Sequence, residues 1–177
     1  MGFILTGEKG KVLIVSYSYS GNTYKIAEAI QKQTEGDLQE IYPLIPYPMS
    51  FPDLLEQVKR EIKEKYKPRL IVPNCSPEQY DTVFVGSPNW CGTIAPPLYA
   101  WLCRNRLEGK IILPFGSHCG GVQGDMKRDV ARLCRKSDVR EPLILMDDGG
   151  EGLTEKVEEW LEKNSLPRRI LSQDSCM

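Results

Sequence analysis

Apolar runs of strand length alternate along this chain with stretches of helical period. The β-rich runs fall at 11 to 16, 37 to 41, 81 to 86, 110 to 115 and 142 to 146. After each comes a segment whose apolar positions recur every three or four residues: Ile26, Ala27 and Ile30, then Leu55, Val58 and Ile62, then Leu98, Trp101 and Leu102. Met126, Val130, Leu133 and Cys134 make a fourth stripe, and Leu153, Val157, Trp160 and Leu161 a fifth. Spacing of that kind buries one side of a helix, so the stripes, with Trp101 and Trp160, are core. Strands that alternate with helices predict an α/β, doubly wound parallel sheet with helices on both faces. Val12 to Val15, Val83 to Val85 and Ile111 to Leu113 are unbroken apolar runs, as strands covered on both sides require, whereas Asp37-Leu38-Gln39-Glu40-Ile41 is polar enough for an edge. Five strands with that edge predict the order 2-1-3-4-5, which places a ligand beyond the carboxyl ends of strands one and three. The first helix should stop at Gly36 as a left-handed cap, and Pro96-Pro97 should open the third. Tyr42 to Pro52, with prolines at 43, 46, 48 and 52, should be an irregular loop, and residues 164 to 177 a polar, weakly ordered tail.

Length and charge narrow the partners. At 177 residues the chain should form a single domain, 1–177, with its core at about 11–163, because no linker divides it. No apolar stretch reaches membrane-spanning length, and the net charge of −1, with acids and bases interspersed, provides no field for nucleic acid. Met1-Gly2-Phe3-Ile4-Leu5-Thr6 fits the loose acylation pattern at Gly2, but only Lys9 and Lys11 follow it, so no membrane anchor is expected. The cysteines at 75, 91, 103, 119, 134 and 176 form no Cys-x-x-Cys pair, and His118 is the sole imidazole. That argues against structural zinc and for free thiols in a reducing cytoplasm.

The candidate chemistry gathers at three strand ends. Ser18-Tyr19-Ser20-Gly21-Asn22-Thr23 follows the first strand and opens the first helix. Unpaired N–H groups and a partial positive charge at a helix start can hold a phosphate dianion; Ser and Thr add donors, and Gly21 permits positive φ. The same residues also suit an ordinary N-capped turn. Gly86-Ser87-Pro88-Asn89-Trp90-Cys91-Gly92-Thr93 follows strand three, and Gly116-Ser117-His118-Cys119-Gly120-Gly121 follows strand four. An aromatic in one turn and small residues in the other suit a planar heterocycle, which needs an apolar wall and backbone partners at its edge.

These three segments resemble the FMN-binding loops of the flavodoxin family, and the resemblance covers about residues 11 to 147, including Tyr80-Asp81-Thr82-Val83-Phe84-Val85-Gly86. It is nearest to a bacterial flavodoxin-like branch with Pro-x-Trp-Trp-Gly-Thr and Thr-His-Gly-Gly loops. The resemblance implies non-covalent FMN, with Ser18, Tyr19, Ser20, Gly21, Asn22 and Thr23 around the phosphate and Ser87, Pro88, Asn89, Trp90, Cys91, Gly92 and Thr93 beside the ring. It implies too that Ser117, His118, Cys119, Gly120 and Gly121 border the pyrimidine edge, and that the Gly92 peptide can turn over to meet a protonated flavin N5. The chain departs from the branch at Cys91, where a second Trp is common, at Asn89, in place of an apolar residue, and at Cys119, which interrupts the His-Gly pair. With no Lys or Arg in the three segments, a low potential is expected for the second electron.

Single residues keep two readings each. His118 can couple a flavin to pH near neutrality or simply cap a turn, and Cys91 with Cys119 can form a redox pair or stay small, buried and inert. No catalytic side chain is expected, since the flavin carries the electrons. The resemblance favours a carrier that passes electrons between redox partner proteins; the alternative is an oxidoreductase that uses NAD(P)H to reduce a quinone or similar small acceptor. Such carriers usually show an acidic face, which a charge of −1 does not promise, although Asp147, Asp148 and Glu151 could make a local patch. A domain that keeps these loops without flavin and only binds a partner is a third reading, against which the intact first loop argues. The acidic pair and phospho-acceptor Asp of receiver domains are missing, as are the Cys and Arg of small tyrosine phosphatases and the glycine motifs of P-loop and Rossmann proteins.

Overall fold

The computed structural model describes residues 10–73, 76–121 and 124–166. The Gly2 pattern, Cys75, Cys176 and most of the expected tail lie outside them. The elements are β1 (Val12–Ser16), α1 (Asn22–Thr34), β2 (Asp37–Glu40), β3 (Tyr42–Pro43), α2 (Phe51–Glu64), β4 (Leu70–Ile71), β5 (Thr82–Trp90), β6 (Thr93–Ile94), α3 (Pro96–Arg104), β7 (Ile111–His118), α4 (Met126–Leu133), β8 (Asp138–Val139), β9 (Leu143–Met146) and α5 (Leu153–Lys163).

The sheet runs β2-β1-β5-β7-β8, with β9 also parallel to β7, so the predicted order 2-1-3-4-5 holds and the fifth position is filled by two short strands. The break falls at Arg140-Glu141-Pro142, where proline cannot donate to the ladder. Side chains near the end of α5 pair with the backbone there instead: Trp160 Nε1 donates to Glu141 O at 2.7 Å, and Glu141 N donates to Asn164 Oδ1 at 3.2 Å. Asn164, placed by the sequence in the polar tail, is buried and serves this join. One core layer, built on Leu13, Val15, Val83, Val85 and Ile112, packs beneath α2, α3 and α4; the other, built on Ile14, Phe84, Leu113 and Phe115, packs beneath α1 and α5 with Trp160. Among the described residues no helix is long and apolar enough to cross a membrane.

Three expectations change. The left-handed cap of α1 is Glu35 (φ 56°), not Gly36, whose missing Cβ instead leaves room for Val12: one there would lie 2.7 Å from Val12 Cγ1. In α2 Leu54 rather than Leu55 is buried, together with Glu61. The proline-rich loop is irregular only between its ends, for Tyr42–Pro43 pairs antiparallel with Leu70–Ile71, and Phe51-Pro52 form the first turn of α2, where a missing N–H costs nothing.

Candidate functional site

The rim at the carboxyl ends of β1, β5 and β7 gathers all three sequence segments. β1 ends at Ser16, and the chain turns through Tyr17 to Gly21 into α1. Gly21 has φ 92°, a conformation that costs glycine nothing, and a Cβ there would meet open space. Ser18 Oγ accepts from Gly21 N at 3.1 Å and from Tyr24 N at 3.2 Å, so its hydroxyl caps the helix start and keeps its own proton to donate. At the end of β1 Ser16 Oγ is buried and has no hydrogen-bond partner. Burying a hydroxyl unspent is costly, which marks this as a place shaped to receive a polar group. Ser20 is exposed, whereas Thr23 is buried and its Oγ1 shares a 2.8 Å hydrogen bond with the buried Ser117 Oγ, tying the cradle to the end of β7. Lys25, the first cation after the loop, is drawn away: its Nζ donates to Asp148 Oδ2 at 2.7 Å, which raises the Lys25 pKa and lowers that of Asp148. The cradle therefore offers neutral donors.

The second and third segments are less loop-like than their sequences suggest. β5 continues as strand to Trp90, pairs back on Thr93–Ile94, and turns through Cys91 (φ 53°) and Gly92 (φ 83°), the positive pair of a two-residue hairpin. β7 likewise runs to His118. The glycines read as turn signals are close-packing sites: a Cβ on Gly86 would lie 2.1 Å from the Phe115 ring, and one on Gly116 2.6 Å from Ser87 O. Ser87 is fully buried, with its hydroxyl donating to Pro88 O and accepting from Ala95 N, and the Thr93 hydroxyl donates to Asp129 Oδ2 at 2.6 Å. These two hydroxyls hold the hairpin rather than face the rim. Pro88 and Asn89 are half-buried in its stem. Beyond β7, Gly120 N donates to His118 Nδ1 at 3.1 Å, so the imidazole caps its own turn, and Cys119, Gly120 and Gly121 are exposed. Cys91 and Cys119 are free and exposed, not buried.

An aromatic cluster that sequence reasoning only partly found stands at the other end of the rim. Trp90 meets Tyr17 at 5.6 Å, Tyr19 at 5.7 Å and Tyr47 at 5.0 Å between ring centroids, all edge to face. The exposed Tyr19 is anchored by its hydroxyl to Pro48 O at 2.7 Å, and the buried Tyr47 donates to Glu61 Oε2 at 2.5 Å. Gln57 Nε2 donates to the other Glu61 oxygen at 2.8 Å, so this buried carboxylate has both oxygens engaged. Burial first, then the hydrogen bond to Glu61, pushes the Tyr47 pKa well above the usual phenol range, and burial does the same to Tyr17. Sequence reasoning also missed Gly124, whose backbone lies against the hairpin: a Cβ there would fall 1.6 Å from Gly92 O.

A parallel sheet of order 2-1-3-4-5 with helices on both faces is a flavodoxin-type fold. The family model described as Flavodoxin matches residues 11–164, and the chain belongs to that family. Its similarity to solved structures is distant and bears on the fold alone. A candidate flavoprotein from Bacteroides uniformis is 21% identical, with 88% of this chain and 99% of that one covered and a TM-score of 0.76. A flavoprotein in complex with FMN from Lactobacillus acidophilus is 23% identical over 85% of this chain and 98% of that one, at a TM-score of 0.67. A flavodoxin, WrbA-like protein from Agrobacterium tumefaciens is 13% identical over 85% and 92%, at 0.55. No curated protein matches the chain.

Proposed function

We propose that this protein binds FMN on the rim and works as an electron carrier between proteins. The observation that carries the reading is the turn into α1: Gly21 in the left-handed conformation, the Ser18 hydroxyl fixed by two amides with its own proton to donate, and the buried, unspent Ser16 hydroxyl at the end of β1. Neutral donors at a helix N-terminus suit a phosphate dianion. The Lactobacillus relative, whose structure holds FMN, supports the choice of cofactor. Bound there, the flavin would supply one- or two-electron redox chemistry. The chain's part is to hold and shield it: Ser18, Ser20 and Asn22 present donors at the phosphate, and Trp90 and Tyr19 give the ring an aromatic wall. His118 and Gly120 set the third turn through their hydrogen bond.

The carrier reading gains from charge placement. Between residues 147 and 162 the chain has seven acids and one lysine, and Asp147, Glu151, Glu155 and Glu159 are exposed along α5 and the turn before it. The overall charge of −1 conceals this acidic flank, which suits docking to a basic partner. Free thiols at 91, 103, 119 and 134 accord with a reducing cytoplasm. The test is a visible spectrum of the purified protein followed by anaerobic NADPH. The carrier is yellow and stays oxidised until a reductase is added; direct bleaching by NADPH would instead establish a nicotinamide-dependent oxidoreductase acting on a small acceptor.

A further inference from the structure

On the face opposite α1 and α5, the short α3 is tucked in with most of its residues buried, and it floors a cleft walled by α2 and α4. The cavity holds about 400 Å³, within the range of small-molecule sites. A second hollow of about 490 Å³ adjoins it, and Arg132, Leu133 and Arg135 line both. None of the first cavity's lining residues belongs to the three rim segments except Thr93, at the base of the hairpin.

The lining has two chemical parts. Tyr66, Tyr99, Ile94 and Leu133 give it ring faces and apolar surface, and Lys67 Nζ lies 6.0 Å over the Tyr99 ring. Lys65, Arg132 and Arg135 bring three cations to the first cavity, and Lys67, Arg106 and Lys136 three more to the second. The acids between them are already engaged. Glu61 accepts from Tyr47 and Gln57, Asp129 accepts from Thr93, and Glu108 pairs with Lys136 at 3.5 Å. Arg132 has only a long 3.9 Å approach to Asp129, and its side chain is 67% exposed. Arg135 Nε donates to Arg132 O at 3.4 Å, and no carboxylate pairs with Arg135 among the described residues. A concave site with aromatic walls and two loosely engaged guanidinium groups is matched by a flat ring that carries a carboxylate, the geometry guanidinium recognises in two parallel hydrogen bonds.

We infer that the α2–α3–α4 cleft is a second ligand site, separate from the flavin rim, that takes an aromatic carboxylate. The ring lies between Tyr66 and Tyr99, and the carboxylate meets Arg132 and Arg135. Because the cleft shares Glu61 with the Tyr47 hydroxyl and Thr93 with the hairpin, a ligand here touches the supports of Trp90 without entering the rim.

The probe is 2-naphthoate, titrated by calorimetry and by amide NMR into the full chain with FMN in excess to fill the rim, and into the chain alone. Binding saturates at one site, with the resonances of Tyr66, Tyr99 and Arg132 shifting. The Arg132→Gln/Arg135→Gln double variant, whose changes are on the surface, weakens it at least about tenfold, as loss of a charge-assisted pair should. Ser18→Ala leaves it unchanged. Heat that never saturates, shifts confined to the rim, equal binding of the uncharged 2-naphthylmethanol, or a folded double variant that binds as the parent does would each overturn the inference. Failure of FMN to bind would sink the proposed function but not this site, which the titration of the chain alone reports separately.

Discussion

The two ends of the rim are built by opposite means. At the phosphate end seven consecutive residues, Ser18 to Tyr24, supply a left-handed glycine and a hydroxyl that caps two amides of the helix start. At the aromatic end Tyr17, Tyr47 and Trp90 come from three separate segments and are steadied by a buried carboxylate on α2, with Tyr19 of the first loop resting on Trp90 where the two ends meet. The first end rests on backbone geometry that a short motif can specify. The second rests on packing, which exists only once the sheet, the proline-rich loop and α2 have come together.

That contrast predicts unequal costs. Trp90→Ala removes the ring on which three tyrosines converge and should destabilise the fold by about 3 kcal/mol in urea unfolding, as loss of a large packed aromatic does. Tyr47→Phe keeps the ring but deprives the buried Glu61 of its phenol donor, so a loss of about 1–2 kcal/mol is expected. Ser18→Ala, at the other end, should cost about 1 kcal/mol or less, the scale of a helix-cap hydroxyl, while weakening FMN more than it weakens the fold. If Ser18→Ala proved the most destabilising of the three, the division between a local and a packed end would be wrong.

Alkaline pH probes the packed end. Tyr17 and Tyr47 have pKa values raised by burial above the ordinary 10.0, so the folded state favours the neutral phenols. Their contribution is complete below pH 10 and is lost as pH climbs from there toward the folded values. Tyr42, hydrogen-bonded to Glu40, is pushed up to about 12. Tyr17 and Tyr47 should therefore ionise only with unfolding, which tyrosinate absorbance followed alongside circular dichroism reports. In Tyr47→Phe stability should fall less steeply above pH 10, because Tyr17 alone of the pair then loses a proton on unfolding. An unchanged slope would show that Tyr47 does not govern it.

The same contrast explains what could be read from sequence. The strand order and the helix stripes follow from periodicity, and the first loop is a contiguous motif whose chemistry lies in its own residues. Gly86-Ser87 and Gly116-Ser117 misled because glycine marks both turns and close contacts: here the glycines make room for Phe115 and for the Ser87 carbonyl, and both strands run on. Tyr47 and Glu61 gave no local signal. A tyrosine among prolines and a glutamate on an amphipathic helix look solvated until the fold brings them within 2.5 Å of each other beneath Trp90. The split fifth strand was equally hidden, because Trp160 and Asn164, some twenty residues on, supply the bonds that the ladder lacks at Glu141.

The claim at the centre of this account is that a phosphate is held by neutral donors after β1. Calorimetric titration of the flavin-free protein with FMN and with riboflavin, at low and high salt, tests it most directly. FMN should bind at least about a hundredfold more tightly than riboflavin, a gap equivalent to two charge-assisted hydrogen bonds, and salt should narrow it little because the loop itself contains no lysine or arginine and Lys25 beyond it is paired with Asp148. Equal affinities for the two flavins would contradict it.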